Sequence, residues 1–236
     1  MDDSLAVIVA ARNEADRIGA TLGALRAALP GAALWVADDA SSDGTAEAAM
    51  AAGAQVVSRG RPHGKGANVT AAVEAALSAE PAPAIVLLCD GDLGGSAGEL
   101  APLVGAVARG ECDLAVAAFS RRVGGGFGVA LGFAHWTIRR RCGLETEAPI
   151  SGQRALRTEA LRATLPFARG YGMEVGMTID AVRAGYRVRE YELDLSHRAT
   201  GRSLAGFAHR AHQLADFARV YMASGGRSRK VRSFSA

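Results

Sequence analysis

The sequence predicts an α/β fold with a mostly parallel central sheet flanked by helices. Short apolar runs are typical of strands that are buried on both faces, and they cover residues 5–10, 34–37, 55–58, 85–89 and 114–119. Alanine-rich amphipathic segments separate these runs and predict helices over residues 15–29, 45–52, 66–79 and 98–109. Strands that alternate with helices of this length indicate βαβ units.

The composition is ordinary for a globular protein. The 236-residue chain is 49% apolar and 22% charged. Its apolar runs fall short of the ~20 residues of a membrane span, and its acidic start lacks the positive segment of a signal peptide. Three cysteines without a C-x-x-C pair argue against a disulfide framework and structural zinc. We expect a cytoplasmic protein with one domain over residues 1–224 and a basic, disordered tail over 225–236.

The pattern is less regular after the fifth strand. A glycine-rich segment covers residues 121–132, a helix is predicted to continue through Arg141, and residues 148–157 are expected to form a loop. Further predictions are a helix over 171–186 that Gly185 ends, a half-exposed strand over 187–197 and an amphipathic helix over 204–221. We interpret that last helix as packed on the core, and leave a dimer or membrane-surface role open.

Polar side chains follow three of the predicted strands, at the edge where parallel strands end together and ligands bind. They are Asn13, Glu14, Asp38, Asp39, Asp90 and Asp92. Lys65, between two glycines, is expected at a helix N-terminus, which favours anions. Carboxylates are preferred ligands of Mg²⁺ or Mn²⁺, and such metals bridge phosphate oxygens. Each aspartate pair taken alone also fits a turn, but together they predict a site for a diphosphate and a divalent cation.

Other nucleotide-binding classes fit less well. A dinucleotide-binding fold needs glycines after the first strand, where this chain has AARNEA; a nucleotidyltransferase would carry a glycine-rich, basic loop there. Residues 60–66, GRPHGKG, lack the spacing and the Ser or Thr of a phosphate-loop NTPase. The alternative that the chain is a catalytically inactive module that binds sugar nucleotides stays open. We expect no nucleic-acid partner.

Four motifs resemble those of family 2 glycosyltransferases with the Rossmann-like, A-type glycosyltransferase fold. In order they are VIVAARNE (7–14), VADDASSDGT (36–45), GKG (64–66) and CDGD (89–92). The C-terminal half, from SGQRALR (151–157) through YGMEVG (171–176) to LSHRATGR (195–202), is similar to glucosyl-3-phosphoglycerate synthases. The resemblance implies a nucleotide-sugar-binding half over residues 1–95 and an acceptor-side half over residues 96–224.

The resemblance implies a role for each matching residue. Asp39 would contact the base, Lys65 would lie near the donor, and Glu174 would lie beneath the donor sugar. In the Asp-x-Asp motif, Asp92 would bind the metal together with His197. The remaining implied contacts to substrate are Ala10, Ala11, Arg12, Glu14, Asp90, Gly91 and Gly152.

The chain departs from the synthases on the acceptor side. Those enzymes carry an Arg and a Thr after a glycine run, whereas Gly124–Gly126 is followed here by Phe127-Gly128-Val129. Arg121 and Arg122 precede the run and can pair with a phosphate. We therefore expect transfer of a hexose from UDP- or GDP-hexose to an acceptor with a phosphate or carboxylate. A polyprenyl-phosphate acceptor, peripheral contact with the inner membrane face, a homodimer and either stereochemical outcome stay open.

Overall fold

The structure is a computed structural model that describes residues 4–119, 128–170, 172–195, 216 and 218–223. The strands are β1 (Leu5–Ala11), β2 (Ala33–Asp38), β3 (Gln55–Ser58), β4 (Ile85–Asp90), β5 (Leu114–Phe119), β6 (Arg154–Arg157) and β7 (Val188–Leu193). The helices are α1 (Ile18–Ala28), α2 (Thr45–Ala51), α3 (Lys65–Leu77), α4 (Ala101–Ala108), α5 (Gly128–Cys142), α6 (Thr158–Thr164) and α7 (Gly172–Arg183), with a 3₁₀ helix over Gly94–Leu100.

The strands form one seven-stranded sheet in the order β3-β2-β1-β4-β6-β5-β7. All neighbours pair in parallel except β6, which is antiparallel to both β4 and β5. Ala11 of β1 pairs with Asp38 of β2, and Ala10 pairs with Asp90 of β4. The carboxyl ends of these three strands are therefore level, which brings the polar segments that follow them to one edge.

Helices cover both faces of the sheet, which explains why the strands are continuously apolar. Along β1, Val7 and Val9 pack into a cluster with α1, the 3₁₀ helix and α4. Ala6 and Ile8, which point the other way, pack into a second cluster with α3, α6 and α7. None of the described helices is long and apolar enough to cross a membrane.

The α/β fold with a mostly parallel sheet is confirmed, and the five strands predicted in the first half are present within a residue or two. The loop prediction for residues 148–157 was wrong in part, because Arg154–Arg157 forms β6. This strand is only four residues long, and its hydrogen bonds come from β4 and β5, which are distant in sequence. Helix α6 was not predicted.

The other predicted elements of the second half have mixed outcomes. The helix predicted over 171–186 is present as α7, and the strand predicted over 187–197 is present as β7. Most of the helix predicted over 204–221, the glycine run at 124–126 and the tail at 225–236 lie outside the described residues. The proposed domain boundaries stay predictions.

The turn after β2 holds Ala40 in the left-handed region, at φ 55°. This conformation costs a non-glycine residue about 1–2 kcal/mol, whereas glycine's greater freedom in the unfolded chain costs about 0.5–1 kcal/mol. We therefore expect Ala40→Gly to raise the free energy of unfolding by about 0.5–1 kcal/mol, measured by urea denaturation.

Ala72→Gly is the matched control, because Ala72 lies buried inside α3. It should lower the free energy of unfolding by about 1 kcal/mol or more. If both substitutions destabilise the protein equally, Ala40 is not strained.

Candidate active site

A cleft of about 470 Å³ opens at the carboxyl edge of β1, β2 and β4. Its walls come from the segments after these strands and from the first turn of α3. Most of the site residues predicted from the sequence line it together: Ala10, Ala11, Arg12, Glu14, Asp39, Lys65, Asp90, Gly91 and Asp92. The level strand ends explain this convergence, since they bring residues that are up to 82 positions apart in the chain to one edge.

Lys65 lies between two carboxylates on the floor of the cleft. Its Nζ is 2.7 Å from Oδ1 of Asp90 and 2.9 Å from Oε1 of Glu174. The Glu174 side chain is only 5% exposed, so Lys65 compensates a buried charge. Burial opposes the charged form of Lys65, but Asp90 and Glu174 outweigh it and raise the pKa of this amine. Lys65 is therefore a cation throughout the neutral range.

The loop before β6 completes this arrangement. Gln153 donates a hydrogen bond from Nε2 to Oδ2 of Asp90 at 3.0 Å. Gly152 passes so close that a Cβ there would lie 2.6 Å from Nζ of Lys65 and 2.7 Å from Oδ2 of Asp90. A side chain at this position would displace the ion pair, which explains the glycine. Gly152 was predicted from the sequence but Gln153 was not, because only the pairing of β6 with β4 brings Gln153 to Asp90.

Arg154, the first residue of β6, is fully buried and was also missed. Its guanidinium donates to the carbonyl oxygens of Ser151 and Pro149 and to Oγ1 of Thr178. Burial lowers the pKa of Arg154 to about 10, an effect that Glu174 and then Glu190 oppose. Arg154 thus remains charged at neutral pH and fixes the loop that carries Gln153 to the cleft.

Asp39 is held at the opposite end of the cleft. Its carboxylate accepts hydrogen bonds from the backbone amides of His63 and Gly64, at 2.7 Å and 3.1 Å. Nη1 of Arg12 lies 3.9 Å from Oδ2 of Asp39. Since the amides precede α3, Asp39 joins the end of β2 to the start of that helix.

Two glycines of the motifs are explained by close backbone contacts. A Cβ on Gly66 would collide with the backbone carbonyl of Ala168, so glycine lets α3 begin against that segment. A Cβ on Gly91 would lie 3.2 Å from the Ala10 oxygen and 3.3 Å from Cβ of Ala11. Gly91 therefore allows the turn between Asp90 and Asp92 to lie against β1.

Asp92 is the second residue after β4, and side chains at the start of α1 hold this segment in place. The main-chain oxygen of Asp92 accepts a hydrogen bond from Nη1 of Arg17 at 3.1 Å. Oγ1 of Thr21 donates to the Gly91 oxygen and accepts from the Gly94 amide, both at 2.8 Å. Asp92 lines the cleft on this fixed turn. Among the described residues no three potential ligands converge on a metal position, and His197, Arg121 and Arg122 lie outside those residues.

The site has an excess of negative charge. Among the residues that the structure describes, five carboxylates line the cleft or lie beneath it, Glu14, Asp39, Asp90, Asp92 and Glu174, whereas its cations are Arg12 and Lys65. Lys65 is already paired with two of these carboxylates. The carboxylate oxygens are hard donors of the kind that Mg²⁺ and Mn²⁺ prefer. The residues of this cleft therefore fit a divalent cation better than a bare anion.

The mostly parallel sheet and the carboxylate-lined cleft at its edge define the class of protein, an A-type glycosyltransferase fold. The sequence model of glycosyl transferase family 2 matches residues 6–164. The chain belongs to this family and is a glycosyltransferase.

Two relatives with different names are similar to most of the chain. The undecaprenyl-phosphate mannosyltransferase of Micrococcus luteus is 31% identical, over 83% of this chain and 85% of that protein. The glucosyl-3-phosphoglycerate synthase of Mycolicibacterium paratuberculosis is 32% identical, over 75% of this chain and 59% of that protein. A crystal structure of the Mycobacterium tuberculosis synthase with Mn²⁺, UDP-glucose and phosphoglyceric acid superposes with a TM-score of 0.74. It is 28% identical and covers 94% of this chain and 80% of that one.

Removing the Lys65 charge should destabilise the protein in a pH-dependent way. Lys65→Met leaves the Asp90 and Glu174 carboxylates uncompensated, and breaking a buried pair costs about 3–5 kcal/mol. Because Lys65 is 28% exposed, and exposed pairs contribute less, we expect the free energy of unfolding to fall by about 2 kcal/mol at pH 8. Because the pKa of Lys65 is raised, its contribution to the free energy of unfolding of the unaltered protein is constant below pH 8. The loss of unfolding free energy in Lys65→Met should therefore shrink towards pH 5, where the variant's carboxylates begin to be protonated.

Urea denaturation at pH 5 and pH 8 measures this difference. The double variant Lys65→Met/Glu174→Gln is the control, because removing the second charge should restore most of the stability. A loss that is equal at both pH values would contradict the charge-compensating role of Lys65.

Proposed function

We propose that the chain transfers a hexose from UDP- or GDP-hexose to an acceptor that bears a phosphate or carboxylate, with Mg²⁺ or Mn²⁺ bound. The observation that carries this proposal is the cleft in which Lys65 is held between Asp90 and Glu174. The site combines a cation at a helix N-terminus, suited to phosphate, with an excess of carboxylates, suited to a metal. The Mn²⁺ and UDP-glucose in the related synthase structure support this interpretation.

Asp92, with His197 from the segment after β7, would hold the divalent cation. When bound, the cation stabilises the negative charge that develops on the leaving nucleoside diphosphate. Charge supports this assignment: a diphosphate entering a cleft with five carboxylates and two cations would be repelled unless another cation accompanied it.

The remaining site residues position the donor. Arg12, Glu14 and Asp39 would surround the nucleoside, together with Ala10 and Ala11 at the end of β1. Lys65 adds a fixed positive charge near the leaving group, where preorganised charge lowers the barrier. Glu174, held by Lys65 beneath the sugar, would orient the sugar or the acceptor hydroxyl. Gly91 would contact the substrate through its main chain, and Gly152 lets the loop before β6 lie against the Lys65–Asp90 pair.

The acceptor is proposed to be anionic, and two kinds are supported. Phosphoglyceric acid is bound in the synthase structure, which favours a small phosphorylated metabolite. A polyprenyl phosphate is the second candidate, because the chain spans 85% of the undecaprenyl-phosphate mannosyltransferase but 59% of the curated synthase. The replacement of the synthases' Arg and Thr by Phe127-Gly128-Val129 also favours this second candidate.

Asp92→Asn should reduce metal-dependent transfer at least a hundredfold, because an amide is a much weaker ligand than a carboxylate for a hard cation. The assay measures release of nucleoside diphosphate from a panel of nucleotide sugars with Mn²⁺ and candidate acceptors. Asp16→Asn, at an exposed position next to the same rim, is the matched control.

Other outcomes of this assay would contradict the proposal. If the unaltered protein transfers no sugar but forms inorganic diphosphate from a nucleoside triphosphate and a sugar 1-phosphate, it is a nucleotidyltransferase. Binding without turnover for every acceptor would indicate an inactive module. Near-normal turnover by Asp92→Asn would remove Asp92 from the metal site.

Arg121→Glu/Arg122→Glu should raise the KM for the acceptor at least about tenfold, because one charge-assisted hydrogen bond contributes roughly 1.5–3 kcal/mol. The KM for the donor should change little. Steady-state kinetics with 3-phosphoglycerate and with a short-chain polyprenyl phosphate in detergent would distinguish the two acceptor kinds.

Arg109→Glu/Arg162→Glu, the same charge change at exposed positions directly after α4 and on α6, is the control. Equal use of an uncharged acceptor by the Arg121/Arg122 variant and the unaltered protein would contradict an anionic acceptor.

A further inference from the structure

Asn68 lies in the wall of the cleft with its hydrogen-bonding groups unused. The residue is 1% exposed, and neither its Nδ2 nor its Oδ1 has a hydrogen-bond partner among the described residues. Both atoms belong to one side chain that lines the cleft. Buried polar groups are almost always hydrogen-bonded, so an unsatisfied amide at a binding cleft calls for a partner from outside the chain.

The surroundings of Asn68 explain why its unsatisfied amide is costly in the free protein. Asn68 is on the first turns of α3, and its helix neighbours Val69 and Ala72 are buried in the apolar cluster on that face of the sheet. An apolar residue of similar size would pack there without an unsatisfied donor and acceptor. Thr70, two residues further on, makes the contrast clear: its Oγ1 donates to the Gly66 oxygen and accepts from the Phe167 amide.

The position of Asn68 is at the nucleoside end of the cleft. Asn68 follows Gly64 by one helical turn, and the Gly64 amide donates to Asp39. Asn68 lines the cleft together with Ala37 and Asp39. Asp92, where the metal is proposed, follows β4 on the other side of β1. Since Asp39 is the proposed contact of the nucleoside, Asn68 lies within reach of that part of the donor.

The chemistry of the Asn68 side chain narrows the range of candidate ligands further. A carboxamide presents one donor group and one acceptor side by side. Phosphate oxygens only accept hydrogen bonds at neutral pH, so a phosphate would leave Oδ1 of Asn68 unsatisfied. Uracil and guanine each present a ring N–H beside a carbonyl oxygen, which matches both amide atoms at once.

We propose that Asn68 forms paired hydrogen bonds with the base of the nucleotide donor. This inference rests on the proposed function, because it assigns a residue to the donor site of that reaction. Asn68 contacts the nucleoside and takes no part in bond cleavage. It should therefore act on donor affinity rather than on the chemical step.

The test compares Asn68→Leu with Thr70→Val by calorimetric titration and thermal denaturation. Asn68→Leu should weaken UDP and GDP binding in the presence of Mn²⁺ at least tenfold for whichever is the better ligand, while Tm stays the same or rises. Its affinity for inorganic diphosphate with Mn²⁺, and for ribose 5-phosphate, should stay within about twofold of the unaltered protein. Thr70→Val should lower Tm and leave nucleotide affinity unchanged.

Each alternative result has a distinct meaning. Equal weakening of nucleotide and inorganic diphosphate would overturn the base contact in favour of a general effect on the cleft. Equal weakening of nucleotide and ribose 5-phosphate would assign Asn68 to the ribose. A lower Tm with unchanged nucleotide affinity would make Asn68 a packing residue. If the unaltered protein binds neither UDP nor GDP, the proposed function itself fails.

Discussion

The ion pairs of Lys65 with Asp90 and Glu174 connect the two halves of the site. Lys65 begins α3, Asp90 ends β4 and Glu174 lies in the first turn of α7, so one ammonium group fixes three elements relative to one another. Gln153 adds the loop before β6 to the same group. Desolvation cancels much of the energy of such pairs. Their main consequence is therefore geometric, because they fix the floor of the cleft before any substrate arrives, as preorganised catalysis requires.

Features that lower the stability of the free protein are concentrated at the same edge of the sheet. Asn68 is buried without a hydrogen-bond partner, Ala40 has a positive φ, and five carboxylates share one cleft. Each of these features opposes the stability of the free protein, and none is needed to form the sheet. Strain and unsatisfied groups at binding sites persist because the surrounding structure over-determines them. Here the level ends of β1, β2 and β4, with α1 and α3 packed on opposite faces, provide that support.

The sequence predicted the features that are local in the chain. Apolar runs located five strands, and the polar residues directly after them converge because parallel strands end at one edge. What it missed depends on contacts between distant segments. Strand β6 exists through its pairing with β4 and β5, and Gln153 and Arg154 gain their roles only through that pairing. Asn68 was missed because a single Asn on a helix has no pattern; its lack of partners is visible only in three dimensions. Of the predictions that lie outside the described residues, His197 came from resemblance alone, whereas Arg121 and Arg122 came from the affinity of arginine for phosphate.

In the proposed function, donor and acceptor recognition depend on different segments of the chain. The donor side is built from strand ends whose register fixes every side chain within the sheet. The proposed acceptor contacts Arg121 and Arg122 belong to the segment between β5 and α5. The chain resembles the synthases in the donor motifs but departs from them at Phe127-Gly128-Val129. That segment contributes no residue to the register of β1, β2 and β4. We therefore expect its sequence to vary among proteins that share the donor motifs, and the chain is similar both to a phosphoglycerate synthase and to a polyprenyl-phosphate mannosyltransferase.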